Sequence, residues 1–524
     1  MKIFFGAGLN ENQYPNVSEA GAGSYNFDLQ KDSSYLFPRK PFDLMATATN
    51  NADIRGFLQL IKRDDTETTL VQSGNTVYKW DGGTTFSSVA TVTSVAQLRD
   101  VYWSLGDYIV TTDLQKMEPV GKWDGTTYST LTTGLGTSLF AKYGLVHQGR
   151  VWLFNVKTST DTPHLMVASA FEDPTSYDTT KRAVSGTFVT GSEAFYMLTP
   201  DLKPINGVAL TLSGDLVVST EKGRIFKLTG TGPLDYKWTD FYAQSGAVGT
   251  EAMVSGGNDI FYLRQGGAIE SLQATQNYGD VAADDVSRWI PETVRNLSSG
   301  IAVYDQQNQK VLWFLSGKVL ALYKDIYYGG AVVDEQGQKA KLSPWSVYKT
   351  SHSSGFVTSA ARYLRLPGTS TYSVLFGDST GRIYDLNGDG TGGDGGSTDI
   401  TVNRVTRFLS GESGVNYIRK IPRIRVRYER TYECTVNLSI AWGDEYNTSS
   451  AAITLKGENP NGAAPAYFGG SFYFGGASYF NVGDGVSGFK SHINTSIVGR
   501  GDVITQTVSS TNKIRYHIDH IELL

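Results

Sequence analysis

The chain has 524 residues, a formal net charge of −5, one cysteine and 58 glycines. A net charge this small argues against a protein that coats nucleic acid through bulk charge. The single cysteine, Cys434, excludes an intrachain disulfide framework. The longest apolar runs are far shorter than the roughly 20 residues of a membrane span, and the N-terminus lacks the longer apolar region of a signal peptide. Composition therefore predicts a soluble protein that is made in the cytoplasm and has no membrane span.

Residues 1–43 are polar and irregular, with scattered glycines and prolines, which predicts an extended arm over a folded body. From about Leu44 onward, short strands alternate with tight turns. Thr69–Asp81 is expected to be a hairpin that turns at Gly74-Asn75. Leu216–Thr220 and Ile225–Thr229 form another, because Gly223 supplies the positive φ of a tight turn between β-branched residues.

The hairpin pattern returns along most of the chain. Further copies are expected at Asp107–Asp124, Gly149–Val156, Asn258–Leu272, Gln309–Tyr323 and Ser373–Leu386. Regularly repeated strand pairs are typical of a β-propeller, and blades of about 40–50 residues divide residues 44–400 into about seven. The competing interpretation is a β-sandwich, but one sandwich of about 100 residues does not account for this length.

After the glycine-rich segment Asp385–Gly396 the sequence changes character. Ile421–Tyr432 alternates basic and apolar residues, and a second strand is expected at Thr435–Trp442. The sequence thus predicts an all-β protein in three parts. These are an N-terminal arm over residues 1–43, a β-propeller over 44–400, and a second β-rich domain over 401–524.

The sequence contains no recognisable catalytic motif. The six histidines lie in no recognisable motif and are expected to be isolated surface residues, and no G-x-S-x-G sequence is present. His517 and His520 are three apart, so on one strand they face opposite ways and do not chelate a metal together. Asp284-Asp285 is the most conspicuous acidic pair, but adjacent acids in a loop are usually solvated. We therefore expect no enzymatic activity.

One segment begins like a calcium-binding loop. Asp385, Asn387 and Asp389 occupy positions 1, 3 and 5, and Gly390 occupies the turn position. Position 12 is Gly396 where such loops have a bidentate Glu, and the next acid, Asp394, falls at position 10. A flexible turn without a cofactor is the main expectation, and bound Ca²⁺ is the alternative.

Positive charge is concentrated between Arg404 and Arg430, where eight basic residues stand against two glutamates. The candidate contact residues are Arg419, Lys420, Arg423, Arg425 and Arg427, of which the last three alternate along one strand. Arginines in this pattern suit contact with phosphate groups. The other interpretation, which we favour, is ion pairing with acids of a neighbouring strand or subunit.

The segment Ala466–Asp484 is too aromatic for an ordinary solvated loop. Its rings next to glycine predict a surface that a neighbouring subunit covers. The candidate interface residues are Tyr467, Phe468, Phe472, Tyr473 and Phe474. Stacking of nucleic acid bases is the alternative, although only Lys490 lies nearby to supply positive charge.

In order and spacing, these features resemble the tail nozzle proteins of short-tailed bacteriophages, which are also called tail accessory or stabilisation proteins. The residues that carry the resemblance are Gly8-Leu9-Asn10, Pro15, Ala20 and Asn26, Pro38-Arg39-Lys40-Pro41-Phe42, Ala168–Pro174, Gly214–Gly230, Gly246 with Gly257–Leu272, Arg419–Tyr428, Trp442-Gly443-Asp444, the Phe-Gly-Gly repeats and Gly499-Arg500-Gly501.

This resemblance implies a propeller body and assembly as a homo-hexameric ring below the portal and its head-to-tail adaptor. It further implies a central channel through which double-stranded viral DNA passes without sequence-specific binding, with tail fibres or spikes attached at the sides. The protein would then belong to the virion tail. A conduit should not grip phosphates, so we expect the Arg423, Arg425 and Arg427 face to lie at a protein contact. A propeller that binds glycans or a host receptor, and a polysaccharide hydrolase or lyase, stay open as alternatives.

Overall fold

The structure, a computed structural model, describes most of the chain outside some loops and termini. The residues it describes are 2–4, 7–11, 20–29, 37–131, 138–178, 192–221, 223–242, 246–249, 251–274, 281–329, 331–333, 339–349, 358–388, 394, 400–409, 418–429, 436–442, 448–453, 489–500, 503–512 and 518–523.

The chain forms two compact units. The first comprises Met1–Asp43, Leu320–Gly355 and Asn387–Leu524, and the second comprises Leu44–Val319 and Phe356–Leu386. The predicted boundaries at residues 43 and 400 stay predictions. The first four strands are β1 (Lys2–Phe4), β2 (Phe27–Asp28), β3 (Phe37–Pro38) and β4 (Asp43–Thr47).

Seven four-stranded antiparallel sheets follow, each formed mainly by consecutive strands. Blade 1 contains β5 (Ile54–Ile61), β6 (Glu67–Ser73), β7 (Thr76–Trp80) and β8 (Phe86–Thr91). Blade 2 contains β9 (Leu98–Trp103), β10 (Tyr108–Asp113), β11 (Gly121–Trp123) and β12 (Tyr128–Thr130). Blade 3 contains β13 (Phe140–His147), β14 (Arg150–Lys157), β15 (Asp161–Ala168) and β16 (Phe195–Leu198).

Blade 4 contains β17 (Ile205–Leu210), β18 (Leu216–Thr220), β19 (Arg224–Thr229) and β20 (Lys237–Tyr242). Blade 5 contains β21 (Met253–Ser255), β22 (Ile260–Arg264), β23 (Ala268–Ala274) and β24 (Val281–Asp285). A short helix, α1 (Pro291–Val294), leads to blade 6, which contains β25 (Ile301–Asp305), β26 (Lys310–Leu315), β27 (Lys318–Tyr323) and β30 (Trp345–Lys349). Its insertion contains α2 (Lys324–Gly329), β28 (Ala331–Val333) and β29 (Lys339–Lys341).

Blade 7 closes the ring with strands from two distant parts of the chain. It contains β31 (Ala360–Arg365), β32 (Tyr372–Gly377) and β33 (Arg382–Asp385), and β4 completes it as the outermost strand. The inner strand β5 contacts both β9 and β31, so the first and last blades are neighbours. Pairing of an early strand with a late sheet holds the ring together, because the sheet forms only when both ends of the propeller segment meet.

Apolar clusters fill the spaces between consecutive blades. Between blades 2 and 3, for example, Val101 and Val110 pack with Val151 and Leu153. Alternate residues of neighbouring strands supply this cluster, which is the packing that burial of both sheet faces requires. The core therefore runs around the ring and does not fill its centre.

The strands after blade 7 form two further four-stranded sheets. These strands are β34 (Ile400–Leu409), β35 (Ile418–Glu429), β36 (Val436–Trp442), β37 (Thr448–Ile453), β38 (Phe489–Arg500), β39 (Val503–Asn512) and β40 (Ile518–Leu523). One sheet has the order β34-β39-β36-β37, and the other has the order β1-β40-β35-β38, so the first strand of the chain lies beside the last.

The predicted all-β class and the propeller of about seven blades are confirmed. The hairpin at Gly223 forms as expected, with Thr220 opposite Arg224 and a φ of 91° at the glycine. Gly74 turns the hairpin of blade 1 with a φ of 56°. The expectation that Asp284-Asp285 lies in a loop is wrong, because both residues end strand β24 and pair with Ser271 and Glu270.

Candidate functional site

Across the axis of the propeller runs an ion pair. Arg99 lies on β9, the inner strand of blade 2, and Glu251 directly precedes the inner strand of blade 5. Nη2 of Arg99 donates to Oε2 of Glu251 at 2.6 Å, and Nε donates to Oε1. Blades 2 and 5 lie on opposite sides of a seven-membered ring, so this two-pronged contact spans the axis. The two side chains are only 19% and 22% exposed.

Both partners are fixed by the backbone around them. Arg99 Nη1 also donates to the carbonyl oxygen of Arg55 at 2.8 Å, which ties blade 2 to blade 1. Glu251 has a left-handed φ of 62°, and its carbonyl oxygen accepts the N–H of Ala302 at 2.7 Å. Burial alone would lower the pKa of Arg99, but the charge and hydrogen bonds of Glu251 outweigh burial and raise that pKa. Arg99 therefore stays charged at every physiological pH.

A second charged contact joins blades 7, 1 and 2. Arg362 on β31 donates to Asp100 Oδ1 and to the carbonyl oxygen of Phe57, the latter at 3.0 Å. The other oxygen of Asp100 accepts the N–H of Gln59 at 2.8 Å. Asp53 in turn accepts hydrogen bonds from Arg55 and Ser359. Arg55, Arg99 and Arg362 on the inner strands thus each have a carboxylate partner.

The histidine expectation is wrong for His147, which is buried with 4% of its surface exposed. It ends the inner strand of blade 3, where its ring lies 5.9 Å from that of Trp152 and 6.4 Å from that of Tyr236. Burial lowers the pKa of His147, which keeps the ring neutral at pH 7. Its Nε2 has no hydrogen-bond partner among the described atoms. This burial was not predictable from sequence, because a strand end is exposed or covered according to the turns above it.

In the first unit, the N-terminal arm lies between β30 and β34. The N–H groups of Gly8 and Leu9 donate to the carbonyl oxygens of Ser343 and Trp345, each at 2.7 Å. Farther along the arm, Tyr25 pairs with Asn403 as an isolated bridge. A Cβ on Gly8 would lie 2.2 Å from the oxygen of Trp345, so only glycine permits this approach. The arm covers the outer edge of blade 6, which would otherwise be an open strand edge.

One buried ion pair anchors the end of the arm. Arg39 donates to Asp394 through Nη1 at 2.8 Å and through Nη2, and the two side chains are 1% and 2% exposed. The remaining donors of Arg39 reach Asn26 Oδ1 and the carbonyl oxygens of Lys40 and Lys349. Asp394 also accepts the N–H of Phe42 at 3.0 Å. Asp394, which the sequence placed at position 10 of a calcium-like loop, is thus the partner of the arm.

Two other residues of that loop, Asp385 and Asn387, make contacts of their own. Asp385 is buried at the end of β33 and accepts a hydrogen bond from Ser373, while Asp389 lies outside the described residues. The carbonyl oxygen of Asn387 accepts a hydrogen bond from Lys40 at 3.4 Å. Within the described part of the chain, no three acidic, histidine or cysteine side chains form a group suited to a metal ion. Calcium binding stays a prediction.

All five candidate basic residues lie on strand β35 between β38 and β40: Arg419, Lys420, Arg423, Arg425 and Arg427. The register places Glu522 opposite Arg425, while Thr495 lies opposite Arg423 and both Ser491 and His520 lie opposite Arg427. Only Arg425 therefore has an acid at a register position. Arg404, at the start of the same basic run, is buried and donates to the carbonyl oxygen of Ala7 in the arm. The aromatic candidates Tyr467, Phe468, Phe472, Tyr473 and Phe474 lie outside the described residues.

These features define a β-propeller protein of seven blades with an ion pair between blades 2 and 5, on opposite sides of its axis. Among the residues the structure describes, no helix has both the length and the apolar character needed to cross a membrane. Neither a protein-family model nor a curated protein sequence matches the chain.

The chain is similar to several solved structures at low identity. Virginiamycin B lyase from Staphylococcus aureus has 8% identity and a TM-score of 0.40, and the match covers 66% of this chain and 98% of that one. A streptogramin B lyase has 10% identity and a TM-score of 0.41 over 66% and 97% of the two chains. The WD40 propeller domain of Doa1 has 10% identity and a TM-score of 0.38 over 66% and 96%. Similarity at this level carries no argument about function.

Proposed function

We propose that this protein is a structural component of a short-tailed phage tail. Six copies form a nozzle below the portal and its adaptor, give passage to the genome and carry tail fibres or spikes. The proposal starts from the resemblance in sequence order described above. The observation that carries it in the structure is the Arg99–Glu251 ion pair across the propeller axis.

An ion pair across the axis argues against use of the propeller centre itself. A propeller that binds a ligand or substrate in its centre needs room there and polar groups that are left available for the ligand. Here three inner-strand arginines already have carboxylate partners: Arg99 with Glu251, Arg362 with Asp100, and Arg55 with Asp53. A passage for double-stranded DNA must then lie between subunits. A closed ring of identical subunits is the simplest way to build one.

The test is the mass of the purified full-length protein in solution, measured by analytical ultracentrifugation across a range of concentrations. Six chains of 57.1 kDa give a ring of about 343 kDa. A species of that mass with weak affinity for duplex DNA supports the conduit. A 57 kDa monomer that binds glycans in an array contradicts it and favours a receptor-binding propeller. Release of oligosaccharides from a host capsule favours the hydrolase or lyase alternative.

A further inference from the structure

A buried histidine lies at the seam between blades 3 and 4. His147 ends β13, the inner strand of blade 3, and only 4% of its surface is exposed. An N–H of its ring donates to the backbone carbonyl oxygen of Gly214, in the first turn of blade 4. The Nε2 atom has no hydrogen-bond partner among the atoms that the structure describes. The bond to Gly214 is therefore made by the other ring nitrogen, Nδ1.

Aromatic rings and two further hydrogen bonds join the blades around this histidine. The ring centroids of Trp152, in blade 3, and Tyr236, in blade 4, lie 5.9 and 6.4 Å from that of His147. Gln148, the next residue, donates from Nε2 to the carbonyl oxygen of Gly230 at 2.7 Å. The Tyr236 hydroxyl donates to Oε1 of Gln148 at 2.6 Å. We call this group of contacts, with the bond to Gly214, the seam.

The charged groups near His147 already have other contacts. Asp215 favours a charged histidine, but its carboxylate is paired with Lys227 at 2.6 Å. Arg150 lies opposite His147 in the register, so a charged histidine would lie beside a buried positive charge. The charged and titratable groups on the elements packed against His147 are Arg150 on β14, Glu193 before β16, Asp215 before β18, Lys227 on β19, and Asp235 and Tyr236 before β20.

Protonation of His147 would put an unsatisfied charge into the seam. A proton on Nε2 creates an N–H that has no acceptor among the described atoms, at a site that water scarcely reaches. Burial lowers the pKa of His147, and the opposing effects of Asp215 and of the bond to Gly214 are smaller. Attraction of a charged ring to the faces of Trp152 and Tyr236 offsets only part of this cost. The charged form therefore favours conformations in which water reaches Nε2.

We propose that His147 is an acid-sensitive switch that opens the seam between blades 3 and 4. In an open seam the histidine is hydrated and takes up a proton near its ordinary pKa of about 6.5. The closed form binds fewer protons, so its stability relative to the open form is lost as the pH falls below that value. Opening separates Gln148 from Gly230 and uncovers the rings of Trp152 and Tyr236.

Hydrogen exchange of the full-length protein between pH 7.5 and pH 5.0 tests this switch. Each rate is corrected for the pH dependence of intrinsic exchange, which gives the constant for local opening. The reporter amides are those of residues 211–215 and 230–236, in the blade 4 turns that contact His147 and Gln148. Their opening constant should rise as the pH falls, by at most about thirtyfold at pH 5.0 if one ordinary histidine charges only in the open form. The reference amides, residues 113–118 of blade 2, should not change.

The acids in the reporter turns do not supply this pH dependence. Backbone N–H groups of Thr231 and Gly232 lower the pKa of Asp235. Burial acts in the other direction on Asp215, but the hydrogen bond from Lys227 helps to lower its pKa. Because the ordinary pKa of an aspartate is already about 3.9, both carboxylates stay charged between pH 5.0 and pH 7.5.

His147→Gln and His147→Phe each remove the titrating ring, and two substitutions are made so that one folded variant is enough. In either variant the opening constant of the reporter amides should stay constant between pH 7.5 and pH 5.0. The control is His164→Gln on β15 of the same blade, which should keep the wild-type rise.

Three results would overturn the proposal. The first is a wild-type opening constant at the seam that does not change with pH. The second is a rise that the reference amides share equally, which would indicate global acid unfolding. The third is a rise at the seam that persists in a folded His147 variant. If neither variant folds, a wild-type rise confined to the reporter amides supports the switch.

Discussion

Replacing Asp394 with alanine removes the carboxylate that holds the end of the N-terminal arm. In the structure Asp394 accepts two hydrogen bonds from Arg39 and one from the N–H of Phe42. Both charged side chains are at most 2% exposed, so the substitution would leave the Arg39 guanidinium buried without its charged partner. Leaving a buried charge unpaired costs about 3–5 kcal/mol, and the N–H of Phe42 loses its acceptor as well.

Hydrogen exchange of the full-length variant measures this cost locally, which avoids treating a chain with two units as one cooperative transition. The amides of residues 20–28 in the arm and of residues 345–349 in β30 should exchange at least a hundredfold faster than in the wild type. The control is Asp65→Ala. It removes the partner of Arg365, but Asp65 is 73% exposed, so the loss is under about 1 kcal/mol. Equal exchange in the two variants would refute the claim that the buried pair anchors the arm.

Three other predictions follow from single sites. Gly8→Ala should free the arm from β30, because the Cβ of the new alanine would meet the backbone of Trp345. Limited proteolysis would detect the freed arm. The control is Gly232→Ala, which has open space around it and should behave as wild type. Burial raises the pKa of Tyr236 to about 12, so its neutral form is favoured in the folded state and stability is lost as pH rises from about 10 towards 12. Tyr236→Phe should reduce that loss in alkaline melts. Glu251→Gln should destabilise the propeller by about 1–3 kcal/mol in thermal unfolding, since Arg99 loses a charged partner.

The hairpins could be predicted from sequence because their determinants are local. Gly223 and Gly74 each need a positive φ between β-branched runs, and a window of a dozen residues contains that information. Because such hairpin patterns recur along the chain, a propeller of about seven blades could be predicted from the sequence. Trp80 and Trp123 each lie in the sequence Lys-Trp-Asp-Gly. Both tryptophans end the third strand of their blade, in blades 1 and 2, so the same short sequence occupies equivalent positions in the two blades.

Contacts set by closure of the ring were not predictable in this way. Arg99 and Glu251 are 152 residues apart, and Arg39 and Asp394 are 355 apart. Their pairing depends on which blades become opposite or adjacent, and no local pattern carries that information. For the same reason β4 was assigned largely to the start of the propeller, with no indication that it completes the last blade. The buried His147 depends likewise on turns from a neighbouring blade.

We propose that the genome passage lies between subunits, because an ion pair crosses the axis of each propeller. Electron microscopy of the assembled particle, with averaging of end-on views, is the measurement that tests this proposal. We expect six-fold rings with one central hole on the symmetry axis and continuous density across the centre of each propeller. Particles without a shared central hole, or with an open channel through each propeller, would contradict it.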